Sequence, residues 1–168
     1  MGMPKGAQAA DDLATFEVVK RELGLAEIPL RGGKAVITIR MAECTEAEQQ
    51  AFSDRIVKVI SGQVGQFAVI MDMRSLRNYP PTHRDIYARA RERLRPVYAR
   101  HALTVYVVEN DVQKGFLTAV GWKATASATS GRTFTRDWRS AFTMCTQQLL
   151  DPSDGEPEGH ISGKIRIT

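Results

Sequence analysis

The chain is short of most of the residues on which common chemistries are built. It has two cysteines, Cys44 and Cys145, in 168 residues. That is too few for a disulfide framework, so they read as free thiols of a reducing cytoplasm. Its three histidines, His83, His101 and His160, have no His, Cys, Asp or Glu neighbour at the spacing of a zinc site. Neither a metal nor a cofactor is expected. A Gly-x-Gly-x-x-Gly after a strand, a Walker-type loop and a Gly-x-Ser-x-Gly elbow are all missing, which removes the usual cradles for nucleotide phosphates and the usual hydrolase nucleophile. Apolar runs stop well short of the roughly 18 residues of a membrane span. The opening MGMPKGAQAADD has no apolar signal core, so neither membrane insertion nor secretion is expected.

What is present is ordinary for one globular domain: 43% hydrophobic and 25% charged residues, with a net charge of +4. The distribution of that charge is uneven. From Arg74 to His101 there are eight arginines against Asp85 and Glu92, a local balance of +6, and no lysine. A solvated helix face can use arginine simply as a helix former with a long stem. If the stretch recognises a ligand, the absence of lysine favours planar, bidentate contact with carboxylate or phosphate.

Hydrophobic periodicity orders the elements. Residues 1–24 read as an extension whose first ten residues, small and polar, are expected to be disordered. Between Asp11 and Gly24, helical spacing (Leu13, Phe16, Val19, Leu23) competes with strand-like alternation. Ala26–Leu30, Arg31-Gly32-Gly33 and Ala35–Ile39 read as a hairpin. Thr45-Glu46-Ala47-Glu48 is a capping box opening a helix with Phe52, Ile56, Val59 and Ile60 inward and a stop at Gly62. Phe67–Met71 is apolar without alternation, the mark of a central strand covered on both faces. After Pro80-Pro81, Thr82 reads as the cap of a helix with Ile86, Ala90, Leu94 and Val97 inward. Pro96 predicts a break near residues 93–95. Leu103–Val108 is a second central strand, and Asn110-Asp111 caps a helix with Val112, Phe116 and Val120 inward. Thr133–Thr135 is a short strand, and Asp137 caps a last helix carrying Trp138, Ala141, Phe142, Cys145 and Leu149. The tail, 151–168, is polar and Gly/Pro-rich, which predicts a mobile segment. The order β-β-α-β-α-β-α-β-α predicts an α/β domain over residues 25–150, with a mixed, mostly parallel sheet.

Candidate functional residues gather after the first central strand. Asp72 stands at its carboxyl end, where α/β folds place ligands. Its plainer role is a loop-fixing carboxylate that accepts backbone amides, since a catalytic carboxylate wants a second carboxylate or a histidine beside it. Ser75 and Thr82 flank the loop. Thr82 at a helix start is also where a phosphate's negative charge is favoured. Trp138 reads as core. Trp122 lies off the Val112–Phe116–Val120 stripe, and an exposed tryptophan suits a partner contact.

Three segments carry a resemblance to a known family. They are Ala68-Val69-Ile70-Met71-Asp72-Met73-Arg74-Ser75-Leu76, the strand Thr104–Val108 with its Val-Val-Glu-Asn-Asp turn, and Arg132-Thr133-Phe134-Thr135-Arg136-Asp137 followed by Ala141. Together with the element order from about Lys34 to Leu150, they resemble a STAS-like domain (sulfate transporter and anti-sigma factor antagonist), of the stand-alone bacterial antagonist type. The resemblance implies a STAS-like fold and a non-catalytic signalling protein that binds a protein partner such as an anti-sigma factor or its kinase. In that family a Ser or Thr at the start of the helix after the second core strand is phosphorylated. Here the helix starts Pro80-Pro81-Thr82-His83-Arg84, without the Asp-Ser-Ser-Gly signature. Thr82 is the positional counterpart and Ser75 the second candidate.

A regulator of this kind would meet its partner through Asp72, Arg74 and Arg77 in the loop, Arg84, Arg91 and Arg95 on the helix, and Trp122. An alternative reading is a carrier of a small apolar or anionic ligand between sheet and helices, with the Pro96-broken helix as lid. Nucleic-acid binding through the basic helix ranks behind both, because only Tyr87 and Tyr98 interrupt the arginines as stacking platforms. An enzyme would rest on Asp72 alone and is not expected. Ala35–Ile39, read as an exposed hairpin edge, can pair with its copy and so admits a homodimer.

Overall fold

The opening hairpin forms where the glycines place it. The computed structural model describes residues 14–124, 133–150 and 166–167. In it, β1 (Gly24–Pro29) and β2 (Ala35–Arg40) are antiparallel, joined by a 3-10 turn at Arg31–Gly33. Gly32 and Gly33 both sit at φ +71°, a left-handed conformation that glycine alone adopts without strain. β3 (Phe67–Asp72), β4 (His101–Val107) and β5 (Thr133–Thr135) then run parallel to β2, giving the order β5-β4-β3-β2-β1-β6, with β6 the two residues Arg166–Ile167 antiparallel to β1. The mixed, mostly parallel α/β sheet is therefore present, and the two apolar segments ending at Met71 and Val108 lie side by side in one direction.

Strand parity sorts the core into two layers, as a period of two requires. Ile37, Ile39, Phe67, Val69 and Met71 face α1 (Glu46–Ser61) and α2 (Pro81–Arg93), meeting Phe52, Ile56, Ile60 and Ala90. Val36, Ala68, Ile70, Val105 and Val107 face α4 (Trp138–Leu149) with Trp138, Ala141, Cys145 and Leu149. Each large side chain buried this way contributes roughly 1.5–3 kcal/mol. Thr38, a polar residue of β2 on the α4 face, accepts a hydrogen bond from Trp138 Nε1 at 3.2 Å, so its burial costs little. The Thr45–Glu48 capping box, the Asp137 cap and the break before Pro96, where a 3-10 segment Arg95–Arg100 replaces α2, form as the sequence predicts.

Several expectations are corrected. Ala35–Ile39 is not an edge: β2 lies between β1 and β3 and is buried at every position. Its composition, apolar on both faces apart from Thr38, is that of a central strand, and the copy-pairing route to a homodimer loses its basis. Thr82 is not a helix cap. Pro80 holds the cap position and Pro81 the first helical one, with the Arg84 amide bonded to the Pro80 carbonyl at 3.1 Å. A proline at that position has the helical φ already and no amide to satisfy. Residues 14–17 are helical, 18–23 irregular, and the strand begins at Gly24. On α3 (Asp111–Ala124) the expected inward stripe points out: Val112 is 83% and Phe116 46% exposed. The cause is Gln113, whose amide donates to the carbonyls of Met73 and Leu76. That turns positions 113 and 117 toward the sheet, and Leu117 packs on the core instead. The Val120 and Trp122 side chains, the Ala/Ser/Thr stretch before Gly131 and most of the tail lie outside the described residues.

Candidate functional site

Parity also carries charge into the sheet. Arg40 continues the Val36–Thr38 row of β2, Asp72 continues the Ala68–Ile70 row of β3, and the two are register partners. Both rows run toward α4 and end at the carboxyl edge of the parallel strands, the place where α/β folds collect ligands. Arg74 follows two residues on. Asp72 is 1% exposed, Arg40 5% and Arg74 6%, so two guanidinium groups and one carboxylate are desolvated at the same strand ends.

Asp72 and Arg74 form a closed unit. Arg74 Nε donates to Oδ1 and Nη2 to Oδ2, both at 2.9 Å, and the Arg74 amide donates to Oδ1 at 3.1 Å. This is a bidentate pair with a backbone bond added. It bears out the loop-fixing reading of Asp72, which accepts the Arg74 amide, and engages both oxygens. Among the described residues no group of three or more His, Cys, Asp or Glu is placed to hold a metal.

The remaining donors reach the stretch before β1. Arg74 Nη2 and Nη1 donate to the carbonyls of Phe16 (2.9 Å) and Glu17 (3.3 Å). Arg40 Nε and Nη1 donate to those of Glu22 (2.9 Å) and Thr15 (3.1 Å). Ser75 Oγ donates to the Lys20 carbonyl. Residues 14–23 are thereby strapped across the strand ends by side chains. Phe16, buried, sits under the Arg40 guanidinium (5.1 Å to the ring centre) and near Trp138 (6.3 Å between centroids). Burial lowers the Arg40 pKa, and Asp72 and Glu22 only partly oppose it.

The other expected site residues are elsewhere. Arg77 is exposed and paired with Glu109. Thr82 is exposed at the start of α2. Arg84 and Arg91 are half-buried on α2: the Arg84 Nε atom is buried without a hydrogen-bond partner, while the Arg91 carbonyl accepts from Tyr98 Oη at 2.8 Å. Arg95 is exposed beside Glu92 at 2.7 Å. Asp72, Arg74 and Ser75 thus come together; Arg77, Thr82, Arg84, Arg91 and Arg95 do not join them. Arg40 was missed, although a charge ending an otherwise two-sided apolar strand was the available signal. Near Arg77 a different surface forms: Val112 and Phe116 are exposed on α3, whose start is tied to the loop by Gln113, and the Arg77–Glu109 and Arg136–Asp111 pairs flank that start. Burial pushes the Tyr79 and Tyr87 phenols and the Cys145 thiol up, the last to about 12, which leaves that thiol protonated and unreactive. No helix among the described residues is long and apolar enough to cross a membrane. No family model matches the chain, and no curated protein matches it.

Proposed function

We propose that the chain is a non-catalytic regulatory protein acting in the bacterial cytoplasm through protein–protein contact, as its resemblance to STAS-like anti-sigma factor antagonists implies. The observation that carries this reading is the outer face of α3. Val112 and Phe116 stand in solvent at 83% and 46% exposure, with Arg77, Glu109, Asp111, Lys114 and Arg136 on or beside the same stretch of chain. An apolar centre with a charged, mixed-sign rim is the anatomy of a partner-binding patch. The β3–α2 loop, which the resemblance names as the regulatory region, is fastened to that helix through Gln113.

This reading moves the partner surface from Asp72 and Arg74, which are buried, to Arg77 and α3. Thr82 is the accessible hydroxyl for a kinase, because Ser75 already donates to the Lys20 carbonyl. Phosphate on Thr82 would lie on the first turn of α2, where negative charge is favoured. The test is quantitative co-purification from the native host, comparing the intact chain with Val112→Asp/Phe116→Asp. A stoichiometric partner retained by the first and lost by the second supports the reading. Equal recovery by both overturns it.

A further inference from the structure

Residues 14–23 are held unlike any other described segment. Among the described residues, their carbonyls at Thr15, Phe16, Glu17, Lys20 and Glu22 go to side chains of Arg40, Arg74 and Ser75. Phe16 is the buried apolar anchor, whereas Val18 and Val19 are 58% and 53% exposed. A stretch fixed by one buried aromatic side chain, a partly buried Leu23 and a few polar donors opens locally at lower cost than a paired strand.

The surface beneath is unbalanced. Asp72 is matched to Arg74 by two bonds of 2.9 Å, whereas the ion pair that Arg40 makes is longer, 3.5 Å to Glu22 Oε1 on a mostly exposed side chain. Arg40 donates to neutral carbonyls, and its pKa is lowered by burial. A carboxylate in the same place would make the stronger, charge-assisted bond. Next to this slot is the Phe16 cradle of Trp138 and Arg40, and beside that Arg139, which pairs with Glu17.

We propose that residues 14–23 act as an internal ligand, and that the strand-end surface they cover is a docking site for a peptide segment of another protein carrying an aromatic residue with acidic neighbours. The aromatic ring takes the Phe16 cradle, one carboxylate reaches Arg40 and a second reaches Arg139. The site is built on β2, β3 and α4, does not use the exposed residues of α3, and makes the chain closed until its own segment is displaced.

The test uses the full chain and two fluorescein-labelled peptides. One reproduces residues 14–23, and the other carries glutamate in place of Thr15 to face Arg40. In fluorescence anisotropy, the Phe16→Ala chain is expected to bind the second peptide at least about tenfold more tightly than the intact chain does, and about tenfold more tightly than it binds the first peptide. Adding Arg40→Met is expected to erase the preference between peptides. Failure of Phe16→Ala to gain affinity, or a preference that survives Arg40→Met, overturns the proposal. Should Phe16→Ala not fold, hydrogen exchange on the intact chain decides. Amides of 15–23 that exchange well ahead of β2 and β3 support a displaceable segment, and equal protection overturns it. Val112→Asp/Phe116→Asp leaves peptide binding unchanged, so this proposal and the partner-binding role of α3 fail separately.

Discussion

Arg74 and Arg95 belong to one basic stretch and carry the same side chain, yet they live in opposite physical regimes. Arg74 is taken out of water, makes a bidentate pair with Asp72 and spends its remaining donors on two carbonyls from residues 16 and 17. Arg95 stands in solvent beside Glu92, three residues earlier, with both side chains about two-thirds or more exposed. The first arrangement holds two parts of the chain together, while the second is screened by water and salt. Local charge density says little about which arginine matters; what decides is whether the backbone carries it to the buried end of a strand.

The contrast is broken most severely by Arg74→Ala. It leaves the Asp72 carboxylate buried beside empty space, and urea unfolding is expected to show a loss of about 3–5 kcal/mol. Ser75→Ala tests the strap alone. Removing the one hydroxyl that donates to the Lys20 carbonyl is expected to cost about 1 kcal/mol in the same assay and to speed hydrogen exchange across residues 15–23. A smaller effect comes from the opposite end of the strands. Burial lowers the pKa of His101 below its ordinary 6.5, so the unfolded chain binds more protons than the folded one between those two values. Stability from this group is complete above about pH 6.5 and is lost as pH falls through the folded value. In a urea series across that range, His101→Asn is expected to flatten the acid-side decline. Arg95→Ala comes last and sharpens the comparison by doing nothing: its urea midpoint should match the parent chain.

The architecture was legible because its signals are redundant. β3 is apolar at five successive positions, the Thr45 and Asp137 caps are local, and Pro96 ends a helix wherever the tertiary fold places it. The site was legible only in part. Asp72 could be placed at a strand end from sequence, but its partner could not, because bidentate pairing with Arg74 depends on the backbone turning after Met73. Arg40 was overlooked because β2 was read as an edge, and an edge arginine carries no message. The outward turn of Val112 and Phe116 was hidden for a related reason. Two faces of α3 offered apolar residues, and a single polar side chain, Gln113, chose between them by capturing carbonyls forty and thirty-seven residues away in sequence.

The pairing of β4 with β3 slips by one residue, from His101 opposite Phe67 to Leu103 opposite Ala68, with Ala102 as the extra residue. Without that slip, His101 would share a side with Val105 and Val107, the side that α4 covers. With it, the imidazole lies 5.5 Å from the Phe67 ring and bonds Thr104 at 2.8 Å on the opposite side of the sheet. One surplus alanine thus acts as a switchyard: it reroutes a titratable ring from one hydrophobic compartment to the other while leaving every later residue of the strand on its original track.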